Sequence, residues 1–220
     1  MAILISIYQV NAIDGYGRSA LHYAAEHDVD CLELLIESGA ELDVVDANGD
    51  TPLHWAAFKN CVRSMVILLS RGANVNSCDF NRETPLSWAA KKSNLEAVKV
   101  LLQYNATPDT ADLNDQLPLN HVARVLAGTA GGREEDGVME LLLKAMGQFD
   151  LRDADGQLPN QVASDNKLYE TLSHFCENAR PLKELCRYAI RSLMGPSFLP
   201  NKVVKLPVPV AVQEYLQLER

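Results

Sequence analysis

The feature that most constrains this chain is that it repeats itself. Aspartates 14, 46, 79, 112 and 153 open five copies of one phrase, at spacings of 32, 33, 33 and 41 residues. Each leads into a helix-starting run: Ser19-Ala-Leu-His-Tyr-Ala-Ala25, Thr51-Pro-Leu-His-Trp-Ala-Ala57, Thr84-Pro-Leu-Ser-Trp-Ala-Ala90 and Leu117-Pro-Leu-Asn-His-Val-Ala123, fading to Leu158-Pro-Asn-Gln-Val-Ala163. Later in the unit a Leu-Leu or Leu-Ile pair precedes Gly39-Ala40, Gly72-Ala73 and the relic Asn105-Ala106. A unit this short cannot bury its apolar face alone, so the period predicts a stacked array.

The wording of the phrase has a chemical reading. Thr51 and Thr84 stand where a helix N-cap is needed, and Pro52 and Pro85 follow at the first helical position, where a missing N–H costs nothing. The alanine pairs let successive inner helices approach closely. The leucine pairs lie on the buried stripe of a second helix, as in Leu95–Leu102, and Gly39 and Gly72 supply its left-handed cap. Each unit therefore reads as helix-turn-helix, with a loop or hairpin tip at its aspartate.

In period and in its Thr-Pro-Leu-His-x-Ala core the chain resembles the ankyrin repeat, from about Asn11 to Val162. The resemblance implies an all-α ankyrin solenoid of about four repeats plus a degenerate fifth, residues 14–176. Residues 1–13 read as the remnant of a preceding repeat or an N-terminal cap. The extra residues around Ala127–Arg133 of the fourth copy are placed as a surface loop between its helices.

Composition agrees with a folded chain: 47% hydrophobic and 22% charged residues, with a formal charge of −9. So acidic a surface argues against nucleic-acid binding. Five cysteines with no Cys-x-x-Cys pair argue against a disulfide framework or zinc ribbon and for a reducing compartment, cytoplasmic with the nucleus open. The apolar start, residues 1–10, lacks a basic flank and is too short for a bilayer, so no membrane association is expected. The charge is uneven: residues 177–220 carry seven basic against four acidic groups, and everything before them nets −12.

That basic tail, 177–220, is a second kind of object. Leu182, Leu185, Cys186, Ala189, Ile190 and Leu193 recur at helical spacing, with Lys183, Glu184, Arg187 and Arg191 between them. Pro196 and Pro200 end that helix, Leu206-Pro-Val-Pro209 is stiff and extended, and Pro209 opens a last helix from Val210. The tail resembles a SOCS box. Pro181, Leu182, Cys186 and Ile190 fill the family's Elongin-binding motif, with Leu185 beside them. Leu206, Pro207, Val208 and Pro209 fill its cullin-selecting motif. The whole chain is thus similar to the ankyrin repeat and SOCS box family. The resemblance implies a small three-helix box that recruits Elongin C with Elongin B, then cullin-5 with its RING-box partner, while the repeats capture an unidentified protein substrate. Leu182, Cys186 and Ile190 step four residues at a time, so they can enter one apolar groove.

On this reading the protein is not an enzyme but the substrate-recognition adaptor of a ubiquitin ligase. The rival is an ankyrin scaffold that tethers or blocks a partner without ubiquitination. Ankyrin arrays bind through tips and inner-helix surface, which by repeat position are Tyr16, Arg18, Asn48, Asp50, Phe58, Lys59, Phe80, Asn81, Glu83 and Lys91. No cofactor or metal is expected. His22 and His54 give way to Ser87 and Asn120 in other copies, so they read as structural hydrogen-bonders. His27, His121 and His174 have no carboxylate or cysteine at ligand spacing. Trp55 and Trp88 read as packing residues, and Cys186 as a groove filler rather than a nucleophile. No phosphate-binding loop or nucleophile elbow is present.

Overall fold

A computed structural model describes residues 10–128, 133–146, 189–191, 193–195, 205 and 210–217. Four helix pairs follow one another: α1 (Ala20–His27) with α2 (Val29–Glu37), α3 (Pro52–Phe58) with α4 (Val62–Ser70), α5 (Pro85–Lys91) with α6 (Leu95–Gln103), and α7 (Pro118–Gly128) with α8 (Arg133–Ala145). A short helix, α9 (Val210–Leu216), belongs to the C-terminal segment. Among the described residues there is no extended strand, only an isolated bridge between Ile13 and Ser19. The fold is the all-α ankyrin solenoid that the periodicity predicts.

Stacking explains the repeated words. α1 packs on α3, α3 on α5 and α5 on α7, forming an inner row. α2, α4, α6 and α8 form the outer row. Leu21, Leu53, Leu86 and Leu119, in one register of the phrase, are all completely buried, and the Ala-Ala pairs beside them are buried too. Each such leucine contributes about 2 kcal/mol from area removed from water. The outer row adds Leu32, Met65, Leu68, Val98, Leu101 and Leu142 to the same core.

The aspartate of each tip builds its own turn. Asp14, Asp46, Asp79 and Asp112 each accept two backbone N–H bonds at Oδ1, from the residues two and four positions on. The turn needs a left-handed residue at its fourth position. Gly17 (φ 74°) and Gly49 (φ 86°) supply it, and Arg82 and Asp115 adopt it at 61° and 56°. Tips are linked in turn: the N–H groups of Ala47, Phe80 and Leu113 donate to the carbonyls of Tyr16, Asn48 and Asn81. At the front edge, Asn11 accepts from the Glu41 N–H, as Asp43 does from Asn74 and Asn76 from Thr107. The residues before Asp14 therefore carry the bond that ends a repeat.

The loop expected at 127–133 is shorter than the sequence implied. α7 runs on through Ala127 and Gly128, and Arg133 already opens α8, so the insertion lengthens both helices. The apolar period continues through Val125 and Leu126, and Glu134, Glu135 and Asp136 favour a helix start at Arg133. Residues 129–132 lie outside the described residues.

Candidate functional site: the inner-helix face and the C-terminal helix

The histidines of the phrase are structural ties. Ser19 and Thr51 donate their N–H to Nδ1 of His22 and His54, at 3.0 and 3.1 Å. The Nε2–H groups then reach the next repeat, donating to the carbonyls of Asp50 at 2.9 Å and Glu83 at 3.1 Å. Burial holds both imidazoles below their ordinary pKa, so they stay neutral and keep this tautomer. In the third copy the Ser87 hydroxyl meets that of Thr84, in the fourth Asn120 accepts the Leu117 N–H, and neither side chain reaches across.

The residue after each histidine position makes a bond that the pattern did not foretell. Tyr23 donates to Asp14 Oδ2 at 2.7 Å, Trp55 to Asp46 at 3.2 Å and Trp88 to Asp79 at 3.3 Å. A signal was present, since a donor stands nine residues after each aspartate. The rings also pack, as expected: Trp55 and Trp88 meet edge-to-face at 5.6 Å, with Phe58 at 6.1 and 5.5 Å from them. Cations cover this aromatic row. The Arg18 guanidinium lies 3.6 Å from the centre of the Trp55 ring, and Lys92 Nζ lies 4.5 Å from that of Phe58. Arg18 also pairs with Asp46 at 3.5 Å and Glu26 at 3.6 Å.

Of the residues read as partner-facing, Tyr16 (74% exposed) and Phe80 (67%) stand out from the tips, and Asn48, Lys59 and Asn81 are exposed beside them. Arg18, Phe58 and Lys91 are half-buried on the inner face. Asp50 and Glu83 depart from the expectation, because both are buried. Their carbonyls receive the histidine ties, which draws the residues inward. Glu83 is held by Lys91. Asp50 Oδ1 has no hydrogen-bond partner, and burial, with Asp46 and Asp79 nearby, pushes its carboxyl from 3.8 up to about 7.

His121 also departs from its sequence reading. Folding brings Glu83 and Asp112 to it, with Asp112 Oδ2 3.5 Å from Nε2 and all three side chains buried. Among the described residues this is the one group with metal-ligand spacing. Lys91 pairs with Glu83, the Asn114 and Gln116 N–H groups hold Asp112 Oδ1, and Arg124 lies 3.4 Å from His121 Nδ1. Burial, aided by Lys91, lowers the imidazole to about 4. His121 faces its own aspartate from the position that Tyr23, Trp55 and Trp88 hold in the earlier copies, but it makes no hydrogen bond to it: Nε2 is buried without a hydrogen-bond partner.

In the C-terminal segment, Pro181, Leu182, Leu185, Cys186 and Leu206–Pro209 lie outside the described residues. Those that are described are oriented oppositely to an ordinary surface helix. Residues 189–191 and 193–194 are helical. Ile190 is 37% exposed and Leu193 88%, whereas Arg191 is only 5% exposed. The charged residue faces the protein and the apolar ones face out. Cys31, Cys61 and Cys78 are free thiols. Among the described residues no helix is long and apolar enough to cross a membrane.

With this geometry in hand, comparison with known families gives a definite class. The family model for ankyrin repeats in three copies matches residues 1–79 and 66–135, and the SOCS box model matches residues 178–217. The chain belongs to the ankyrin-repeat family and carries a SOCS box behind its repeats. It is similar to ankyrin repeat and SOCS box protein 8 of Mus musculus, with 48% identity over 88 residues, 40% of this chain and 30% of that protein. The Homo sapiens protein of that name matches with the same identity and the same shares. Over 39 residues the chain is 56% identical to target of rapamycin complex 2 subunit AVO2 of Saccharomyces cerevisiae, 17% of this chain and 9% of that protein. The matched stretch thus spans under a third of the length of the protein 8 relatives.

Proposed function

We propose that this protein is a non-catalytic substrate-recognition adaptor of a ubiquitin ligase. The tips and inner-helix face of the repeats hold a target protein. The C-terminal box recruits Elongin C with Elongin B through Pro181, Leu182, Leu185, Cys186 and Ile190. Leu206–Pro209 select cullin-5 with its RING-box partner. The adaptor accelerates transfer by proximity alone, raising the effective concentration of target lysines at a charged enzyme. The cytoplasm is the proposed place of action.

The observation that carries this reading is the outward apolar face of the C-terminal helix. Leu193 is left in water and Ile190 remains 37% exposed, while Arg191 is buried. An apolar stripe of this kind suits a helix-in-groove partner. The test is co-purification of the intact chain with Elongin B and C beside a Leu182→Asp variant. A charge set into an apolar groove costs more than the roughly 2 kcal/mol lost with the leucine itself. The variant is expected to lose both Elongins. Retention at the wild-type level refutes the motif assignment. Failure of the wild-type chain to bind Elongins leaves the tethering scaffold in its place.

A further inference from the structure

Three outer helices end in one left-handed cap. Gly39, Gly72 and Asn105 hold φ of 89°, 101° and 63°. The next alanine returns its N–H to the carbonyl five residues back in each, Ala40 to Leu35, Ala73 to Leu68 and Ala106 to Leu101. Glycine suits this position best, and asparagine tolerates it. The asparagine has a use that glycine lacks. Asn105 Nδ2 donates to the carbonyls of Arg191 and Gly195, both at 2.8 Å.

Arg191 returns the grip. Its Nη2 donates to the Leu102 carbonyl at 2.8 Å, in the last turn of α6, and its Nη1 to the Leu216 carbonyl at 2.9 Å, at the end of α9. Carbonyls at helix ends lack an intrahelical partner and carry partial negative charge, so a guanidinium is well matched to two of them at once. Its planar fork fixes direction as well as distance. Side chain holds main chain in both senses, across 86 and 89 residues of sequence.

We propose that Asn105 and Arg191 form a latch that fixes the C-terminal box to the third repeat, making them positioning residues for ubiquitin transfer. The latch stands on these four bonds, while its consequence for transfer rests on the adaptor reading. A box held in one orientation presents a recruited ligase at one place relative to the inner-helix face. A box on a loose tether spreads it over many.

Asn105→Gly tests the latch cleanly, because it installs the cap residue of the first two repeats and leaves the stack folded. Arg191→Lys, which keeps the charge but loses the fork, is the second variant. Spin labels carried on non-natural amino acids at Ser70 and Lys205 report the distance between stack and box in the full chain. The wild type is expected to give one narrow distribution and each variant a broad one, with Elongin B/C affinity changed by no more than about twofold. In the reconstituted ligase, self-ubiquitination is expected to spread over a different set of lysines in the variants, read by mass spectrometry. Distributions of unchanged width in both variants overturn the latch. A broadened distance with an unchanged lysine pattern overturns the positioning role. If the wild-type chain binds no Elongins, the adaptor reading falls and the distances alone still decide the latch.

Discussion

Asp50 is placed to make the stability of this protein depend on pH in an unusual direction. Its Oδ1 is buried without a hydrogen-bond partner. Burial first, then the charges of Asp46 and Asp79, raise its carboxyl from 3.8 to about 7. The native state therefore keeps a proton that the unfolded chain releases between those values. The contribution is fully present below pH 3.8 and is lost as pH rises through about 7. An asparagine side chain in its place carries no charge at any pH and escapes that loss. At about 1.36 kcal/mol per pH unit, Asp50→Asn gains roughly 4 kcal/mol above pH 7 and about 2 kcal/mol at pH 5.5. His22, His54 and His121, whose pKa values are lowered, act in the opposite sense, weakening the fold as pH falls below their ordinary value of 6.5. They are common to both proteins and cancel in the difference. The assay is urea unfolding followed by the fluorescence of Trp55 and Trp88, the chain's two tryptophans, at pH 5.5 and 8.5. The expected result is a stabilisation about 2 kcal/mol larger at the higher pH. An equal effect at both pH values, or a loss at pH 8.5, refutes the reasoning.

The inter-repeat tie gives a second expectation. His54→Ala strands the Thr51 N–H and the Glu83 carbonyl in a buried site and costs about 4 kcal/mol, whereas His54→Asn supplies the side-chain oxygen with which Asn120 accepts the Leu117 N–H and costs about half as much. Urea midpoints rank the two, and equal losses sink the account. Replacing Leu206, Pro207, Val208 and Pro209 by alanine removes apolar contact and pre-ordering together. Pull-down with purified partners is then expected to keep Elongin B and C and lose cullin-5. Loss of all partners together means that the motif has no separate role.

Much of this molecule was open to reading in one dimension, because the forces that shape a repeat are local. Thr51 and Pro52 start α3, Gly72 ends α4, and Leu53 and Ala56 face the core, all through interactions spanning a few residues and repeated with the period. Copying of the phrase also exposed His22 and His54 as structural, since Ser87 and Asn120 replace them. The Leu182, Cys186 and Ile190 spacing and the Leu206–Pro209 run were equally plain as strings. What needed the tertiary structure is whatever depends on which repeat lies next to which. Asp50 and Glu83 look like exposed tip residues in sequence, yet the ties from His22 and His54 draw them inside. His121 looks isolated until the stack brings Asp112 and Glu83 against it. Asn105 looks like a decayed glycine and Arg191 like one solvated charge of an amphipathic helix. Only the folded chain brings them together, at the end of α6. A period encodes what each unit does with its neighbour in sequence. It carries no information about a contact made once, between residues 86 apart, whose energy is set by the geometry of the whole stack.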